Sequence, residues 1–193
     1  LDSTLRKPLS MSRWQFYSQM PDQTGNVGQF TMGNEPSLHI PYLYVYAGAP
    51  WRTQRFIHKL LDTWFRNDLM GLPGDEDGGG MSAYVVFSML GFYPTTPGMP
   101  IYVIGSPRFP KVTIHLPTNK RFTITAKDWS KDNIYIQSAK LNGRALNRAW
   151  FRHSDIVSGG ELVLEMGPTP NKEWGSVEPP PSAGRIADKP IFR

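Results

Sequence analysis

Cysteine is absent from the 193 residues, so no disulfide can staple the fold and no thiolate can hold a metal. Compartment therefore cannot be read from thiol chemistry. Long apolar runs are missing too: no stretch approaches the roughly 20 residues of a membrane-crossing helix. The first residues lack the charged, apolar and small-residue order of a secretory signal. The formal charge is +5, yet Lys and Arg are scattered apart from pairs such as Arg6-Lys7 and Lys120-Arg121. Without a basic face, nucleic acid is not an expected partner. Internal repeats are lacking, and so is an initiating Met; a chain opening on Leu1-Asp2 reads as a fragment, a processed chain or one with disorder upstream.

What is present is enough to pack a core, since 39% of the residues are apolar. Ser10 to about Met20 has helical character, with Ser10 as cap and Pro21 as stop. A glycine-rich loop follows to Met32. Gly33-Asn34-Glu35-Pro36-Ser37 then leads into a second helix from Leu38 to Gly48, with Ser37 as its cap and Pro41 tolerated in its first turn. Tyr42, Tyr44 and Tyr46 on it read as packing residues rather than sugar platforms. Pro50 to about Asn67 gives the clearest amphipathic pattern, because Phe56, Ile57, Leu60, Leu61, Trp64 and Phe65 recur in pairs about four residues apart. His39 and His58 stand at no ligand spacing and read as polar helix residues. Met81 to Leu90 is apolar nearly all round, which predicts a buried helix. From Phe92 onward prolines and short β-branched runs predict strands at 102–104, 111–116, 121–126, 133–138 and 161–166, pairing largely antiparallel. Asn142-Gly143 is a hairpin signal. The proline-rich stretch after Gly175 reads as a surface tail.

Between the third and fourth of these helices lies Gly74-Asp75-Glu76-Asp77-Gly78-Gly79-Gly80, three adjacent carboxylates enclosed by glycines. Neighbouring carboxylates repel, so a fold that gathers them needs a cation, protons or donor groups beside them. If the triplet is extended, Asp75 and Asp77 face one side and Glu76 the other. Gly80 at a helix start would leave N–H groups for an anion or ligand oxygen. An acidic surface turn that merely caps a helix is the alternative. An EF-hand is excluded, because Val86 stands where the twelfth-position glutamate belongs.

The ordered set Gly33-Asn34-Glu35-Pro36-Ser37, Tyr42-Leu43-Tyr44 with Ala47-Gly48, Gly74-Asp75-Glu76-Asp77 with Met81-Ser82-Ala83, Gly91-Phe92-Tyr93-Pro94 and Ile104-Gly105-Ser106-Pro107 carries more than any one motif. Leu141-Asn142-Gly143 and Met166-Gly167-Pro168 with Asn171 extend it. Over about residues 10–175 the chain resembles the C-terminal part of the calcium-dependent exo-α-mannosidases of glycoside hydrolase family 92. The resemblance implies an α+β fold: late helices of an (α/α)6 barrel over 1–100, an antiparallel β segment over 101–175 packing toward a β-sandwich domain, and a surface tail over 176–193. It also implies a larger enzyme that removes terminal α-mannose from glycans with inversion. By resemblance Asp77 is the general base, with Asp75 assisting or substituting. Asn34, Glu35 and Glu76 would contact substrate, and Glu35 and Asp77 would contribute to a Ca2+ site holding the mannose 2- and 3-hydroxyls. Asn34 occupies the position that is histidine in α-1,2-specific members, which opens α-1,3 or another linkage. The family's general acid is a glutamate expected upstream of Leu1, so the implied partner is the N-terminal remainder of the enzyme, covalent or as a separate chain. A secreted, periplasmic or cell-surface location is implied by the family alone. A carbohydrate-binding or structural remnant without catalysis is the other class of reading.

Overall fold

Two prolines decide how the chain enters its helical half. The computed structural model describes residues 26–27, 30–69, 71–74, 76–117 and 119–182; the helix expected over 10–20 lies outside them. The described chain opens with a short antiparallel pair, β1 (Asn26–Val27) and β2 (Phe30–Thr31). The helix expected from Leu38 to Gly48 is instead divided into 3-10 turns at Glu35–Ser37 and Ile40–Tyr42, followed by one α-turn, α1 (Leu43–Tyr46). Pro36 and Pro41 sit at the starts of the two 3-10 turns. Proline has no N–H to continue a ladder from the preceding turn, so it begins a turn but cannot prolong one. Ser37 therefore closes the first turn rather than capping a long helix.

Helix α2 (Pro50–Trp64) follows the predicted pattern, with Phe56, Ile57, Leu60 and Leu61 buried and Arg55 and Lys59 outward. Each such burial contributes about 1.5–3 kcal/mol, which outweighs any surface contact the helix makes. It stops short of Asn67 because Phe65 is already extended, at φ −113° and ψ 131°. Helix α3 (Gly80–Leu90) ends at Gly91, whose φ of 98° lets its N–H reach back to the Phe87 and Ser88 carbonyls. The expectation that α3 is buried all round is corrected: Met81, Tyr84 and Ser88 are buried, while Ser82, Ala83 and Val86 are exposed. Apolar composition permits burial, but a face is buried only where another element covers it. Among the described residues α3 is covered on one side.

Strands β3 (Phe92–Tyr93), β4 (Ile101–Ile104), β5 (Lys111–His115), β6 (Arg121–Lys127), β7 (Tyr135–Leu141), β8 (Arg144–Ala145), β9 (Trp150–Arg152) and β10 (Gly160–Gly167) follow, with α4 (His153–Val157) before the last. They form a three-stranded sheet, β3-β4-β9, and a five-stranded sheet, β5-β6-β10-β7-β8. All pairings in them are antiparallel except β6 with β10, which is parallel. β6 and β7 run in opposite directions, so a strand inserted between them must run parallel to one. The predicted Asn142-Gly143 turn joins β7 to β8, with φ of 51° and 78° at its two residues.

Alternation sets the core face of the larger sheet: Phe122, Ile124 and Ala126 of β6 and Leu162, Leu164 and Met166 of β10 are buried. A run of aromatic contacts ties helices to both sheets. Tyr42 stacks on Tyr93 at 5.1 Å, Phe87 meets Phe92 edge-on at 5.5 Å, Phe92 meets Phe151 at 5.4 Å, and Phe151 stacks on Phe122 at 6.0 Å. The Gln54 side chain of α2 accepts the Ile136 N–H of β7 at 3.2 Å, fixing helix to sheet by a polar contact as well. No helix among the described residues is long and apolar enough to cross a membrane.

Candidate active site

Two loops meet here through their glycines. A Cβ placed on Gly74 would lie 2.5 Å from the Gly33 carbonyl oxygen, and one on Gly80 would lie 3.3 Å from Cγ of Glu35. The Asn34-Glu35 segment and the acidic loop are thus neighbours in space, separated by a helical hairpin in sequence. Asn34 is extended, at φ −125° and ψ 119°, and its carbonyl accepts the Ser37 N–H at 2.9 Å. The Glu35 carbonyl accepts the Leu38 N–H at 3.0 Å, so both side chains hang from a backbone fixed by the first 3-10 turn. Glu35 Oε1 is shielded from solvent.

The acidic loop is coiled rather than extended at Asp77. Asp77, Gly78 and Gly79 take successive left-handed φ values of 47°, 63° and 97°, so the alternation expected for the triplet does not hold at Asp77. Asp75 lies outside the described residues. Asp77 is exposed, and its carbonyl accepts the Gly80 N–H at 3.2 Å. Glu76 turns back on the start of α3: its carboxylate accepts the N–H groups of Gly79 and, at 2.9 Å, Ser82. Its carbonyl accepts the Met81 N–H at 3.2 Å. The Ser82 N–H foremost, then the Ser82 hydroxyl and the Gly79 N–H, hold the Glu76 carboxyl below the usual carboxylate range. The N–H groups expected to be free at this helix start are therefore occupied, those of Gly79 and Ser82 by the Glu76 carboxylate and those of Gly80 and Met81 by the Asp77 and Glu76 carbonyls.

The turn and helix that follow the two loops carry buried aromatic residues, Tyr42 and Tyr84. The Tyr42 hydroxyl and Ser88 Oγ are hydrogen-bonded at 2.9 Å, and burial raises the pKa of both Tyr42 and Tyr84. Tyr42 and Tyr44 are core residues, as expected; Tyr46 is half-buried and bonds Thr95 through its hydroxyl at 2.8 Å.

One polar cluster escaped sequence reasoning. His58, read from the sequence as a polar helix residue, is buried in α2. Arg108 donates to its Nδ1 at 2.8 Å, which leaves the proton on Nε2 to donate to Ser106 Oγ at 2.9 Å; Ser106 in turn donates to the Ile134 carbonyl at 2.7 Å. Arg108 also pairs with Asp62, one turn beyond His58. Burial first, then the Arg108 charge, lower the His58 pKa to about 4, against the pull of Asp62. The His58-Asp62 spacing of one helical turn was the available signal, but its partners lie about fifty residues on.

The Glycosyl hydrolase family 92 catalytic domain model matches residues 1–168. The chain belongs to this family. It is similar to an uncharacterized secreted glycosidase of Arthroderma benhamiae, 37% identical over 158 residues, which cover 79% of this chain and 20% of that protein. The structure of a family GH92 α-mannosidase from Bacteroides thetaiotaomicron in complex with mannoimidazole superposes with a TM-score of 0.86 at 32% identity, covering 94% of this chain and 24% of that one. A family GH92 inverting mannosidase from the same organism gives 0.76 at 41% identity, covering 91% and 24%. The chain thus spans about a fifth to a quarter of the length of these family 92 relatives.

Proposed function

We propose that the intact family 92 enzyme containing this segment hydrolyses terminal α-linked mannose from glycans with inversion, and that this segment supplies the base side of its active site. The observation that carries the reading is the meeting of the Asn34-Glu35 turn with the Asp77 loop, through Gly33 against Gly74 and Glu35 against Gly80. Likeness to proteins described as α-mannosidases and as an inverting mannosidase supports the reaction class.

In an inverting glycosidase one carboxylate removes a proton from water on one face of the sugar, while a carboxylic acid protonates the leaving oxygen. Asp77 is the base in this reading, with Asp75 assisting or substituting. Its exposure lets water and sugar reach it. Asn34 and Glu35 contact the substrate, Asn34 favouring a linkage other than α-1,2. Glu76 holds the loop in shape through Gly79 and Ser82 and adds negative charge beside the sugar. The acid belongs to the N-terminal remainder of the enzyme. In the whole enzyme, 1–100 would complete an (α/α)6 barrel and 101–175 would pack toward a β-sandwich. Location outside the cytoplasm is supported by the curated relative, described as secreted.

Calcium suits the donor types, since Glu35 and Asp77 offer hard oxygens. Among the described residues no three His, Asp or Glu side chains form a cage of their own. Backbone carbonyls, water and the sugar would have to complete the shell, as this cation permits. Glu35 and Asp77 would be the side chains that contribute to its site, where the cation would supply Lewis-acid contacts to the mannose 2- and 3-hydroxyls and favour ring distortion.

The test is hydrolysis of an aryl α-mannoside by the intact enzyme, with the first-formed anomer read by proton NMR. The β-anomer is expected, and Asp77→Ala should lower kcat roughly 10²- to 10⁴-fold. Sugar binding without turnover in the parent would instead support a non-catalytic carbohydrate-binding protein. Release of the α-anomer would overturn the inverting mechanism.

A further inference from the structure

A pocket of about 340 Å³ is built from segments other than the Asn34-Glu35 turn and the acidic loop: His58 and Asp62 of α2, Arg108, and the Trp129-Ser130-Lys131 loop. That volume is at the small end of ligand sites and admits one or two sugar rings. We propose that it is a second carbohydrate-binding site, in which the Trp129 indole stacks on a neutral pyranose ring and the Asp62–Arg108 pair bonds the ring's hydroxyls. This inference rests on the reading of the intact enzyme as glycan-active.

In this segment Trp129 is 36% exposed, and its ring has no hydrogen-bond, aromatic or cation partner among the described residues. The site requires that its loop stay clear of the face that would pack toward the β-sandwich in the intact enzyme. An indole left open beside polar groups presents the flat apolar face that the C–H side of a pyranose matches, with its N–H as a polar handle. The groups beside it are planar and held. Arg108 is fixed from behind by His58, and its guanidinium in turn fixes the Asp62 carboxylate, which is 57% exposed and retains acceptor capacity toward the pocket. The Trp129 loop is braced as well. Ser130 Oγ accepts the Asp132 and Asn133 N–H groups at 3.3 and 3.1 Å, and the Asn133 side chain donates to the Asp128 carbonyl at 2.6 Å. With those bonds made, the Ser130 O–H is available as a donor.

The lining is close to charge-balanced, so a neutral sugar fits it without supplying an anionic group. His58 is uncharged, and Asp62 already neutralises Arg108, which leaves Lys131 as the surplus cation of the lining. Fixed planar donors and acceptors around an aromatic face lower the ordering cost of binding, and that is what a weak site for one unit of a longer glycan needs.

The experiment titrates an α-mannan polymer, by calorimetry, into the intact enzyme and its Trp129→Ala and Lys131→Ala variants, with melting curves as a check on folding. Trp129→Ala should weaken mannan binding about tenfold or more, in line with the loss of an aromatic stacking platform. Its melting curve and its hydrolysis of a small aryl α-mannoside should be unchanged, because that substrate needs the Asp77 site alone. Lys131→Ala should bind mannan within about twofold of the parent, and raising sodium chloride to about 1 M, where screening acts within about 3 Å, should change little. Unchanged mannan binding in Trp129→Ala overturns the site, as does a loss matched by equal loss of aryl-mannoside hydrolysis or by unfolding. Loss of binding in high salt overturns the neutral-sugar assignment. If the parent binds mannan but hydrolyses no mannoside, the proposed activity falls while the effect of Trp129→Ala still decides this site.

Discussion

Gly74 and Gly33 touch where neither has a side chain: a Cβ on Gly74 would stand 2.5 Å from the Gly33 carbonyl oxygen, and Gly74 itself has a φ of 81°. Both features oppose any other residue. Gly74→Ala should therefore destabilise the protein by about 2–4 kcal/mol, the left-handed backbone and the overpacking each contributing. Gly78, with a φ of 63° and nothing within 4 Å of where an alanine methyl would sit, carries the backbone strain alone. Gly78→Ala should cost only about 1–2 kcal/mol. Denaturant melts of the two variants separate them, and equal losses would mean that the Gly33 contact contributes nothing.

His58 gives a pH dependence with a definite sign. Its pKa is lowered from 6.5 to about 4, so between those values the unfolded chain binds a proton that the folded chain refuses. Stability from this group is complete above about pH 6.5 and is lost as pH falls toward 4, by roughly 3 kcal/mol in all. His58→Gln removes the titration. The stability gap between parent and variant should accordingly narrow as the pH is lowered from 7 to 4. A gap that stays constant would show that His58 is not held neutral.

How much of this was legible depended on distance along the chain. The α2 face was readable because its burial repeats every turn, and the β7–β8 turn because Asn142-Gly143 fits positive φ at two successive residues. Strands β3, β8 and β9 have two or three residues each, too few to show a period of two. The parallel pairing of β10 with β6 depends on where α4 delivers the chain, which no local pattern encodes. His58 looked like an ordinary helix residue because Ser106 and Arg108, which bury and orient it, lie 48 and 50 positions away. In the candidate site the residue types, their glycines and the helix-capping alternative that Glu76 fulfils were visible, but the left-handed coil at Asp77 was not. Acidic triplets in extended and coiled loops have the same letters.

Gln54 makes a case in which a more apolar residue should do harm. It is 1% exposed, and its Oε1 accepts the Ile136 N–H beside the register shift in the β7–β10 pairing. Leucine has similar bulk and favours burial, yet it leaves that N–H without its acceptor. The unsatisfied donor costs about 1–3 kcal/mol, more than the extra apolar surface returns at a site already closed to water. Gln54→Leu should thus lower the denaturant midpoint, and protection of the Ile136 amide against hydrogen exchange should fall with it. An unchanged midpoint would mean that the Ile136 N–H finds another acceptor.

The proposed calcium role of Glu35 and Asp77 is separable from their proposed catalytic role by measuring the metal itself. If the two side chains contribute to one site, calcium should raise the melting temperature of the intact enzyme, because a ligand bound only by the folded state stabilises it by about 2.7 kcal/mol at a hundredfold excess over Kd. Chelation should reverse the shift. Glu35→Gln keeps the size of the side chain and its contact with Gly80 while removing a charge, so it should weaken calcium binding by an order of magnitude or more with little change in the metal-free melt. Asp77→Asn should weaken it as well. Should calcium shift the parent and both variants equally, the metal sits elsewhere, and Asp77 would be left with the base role alone.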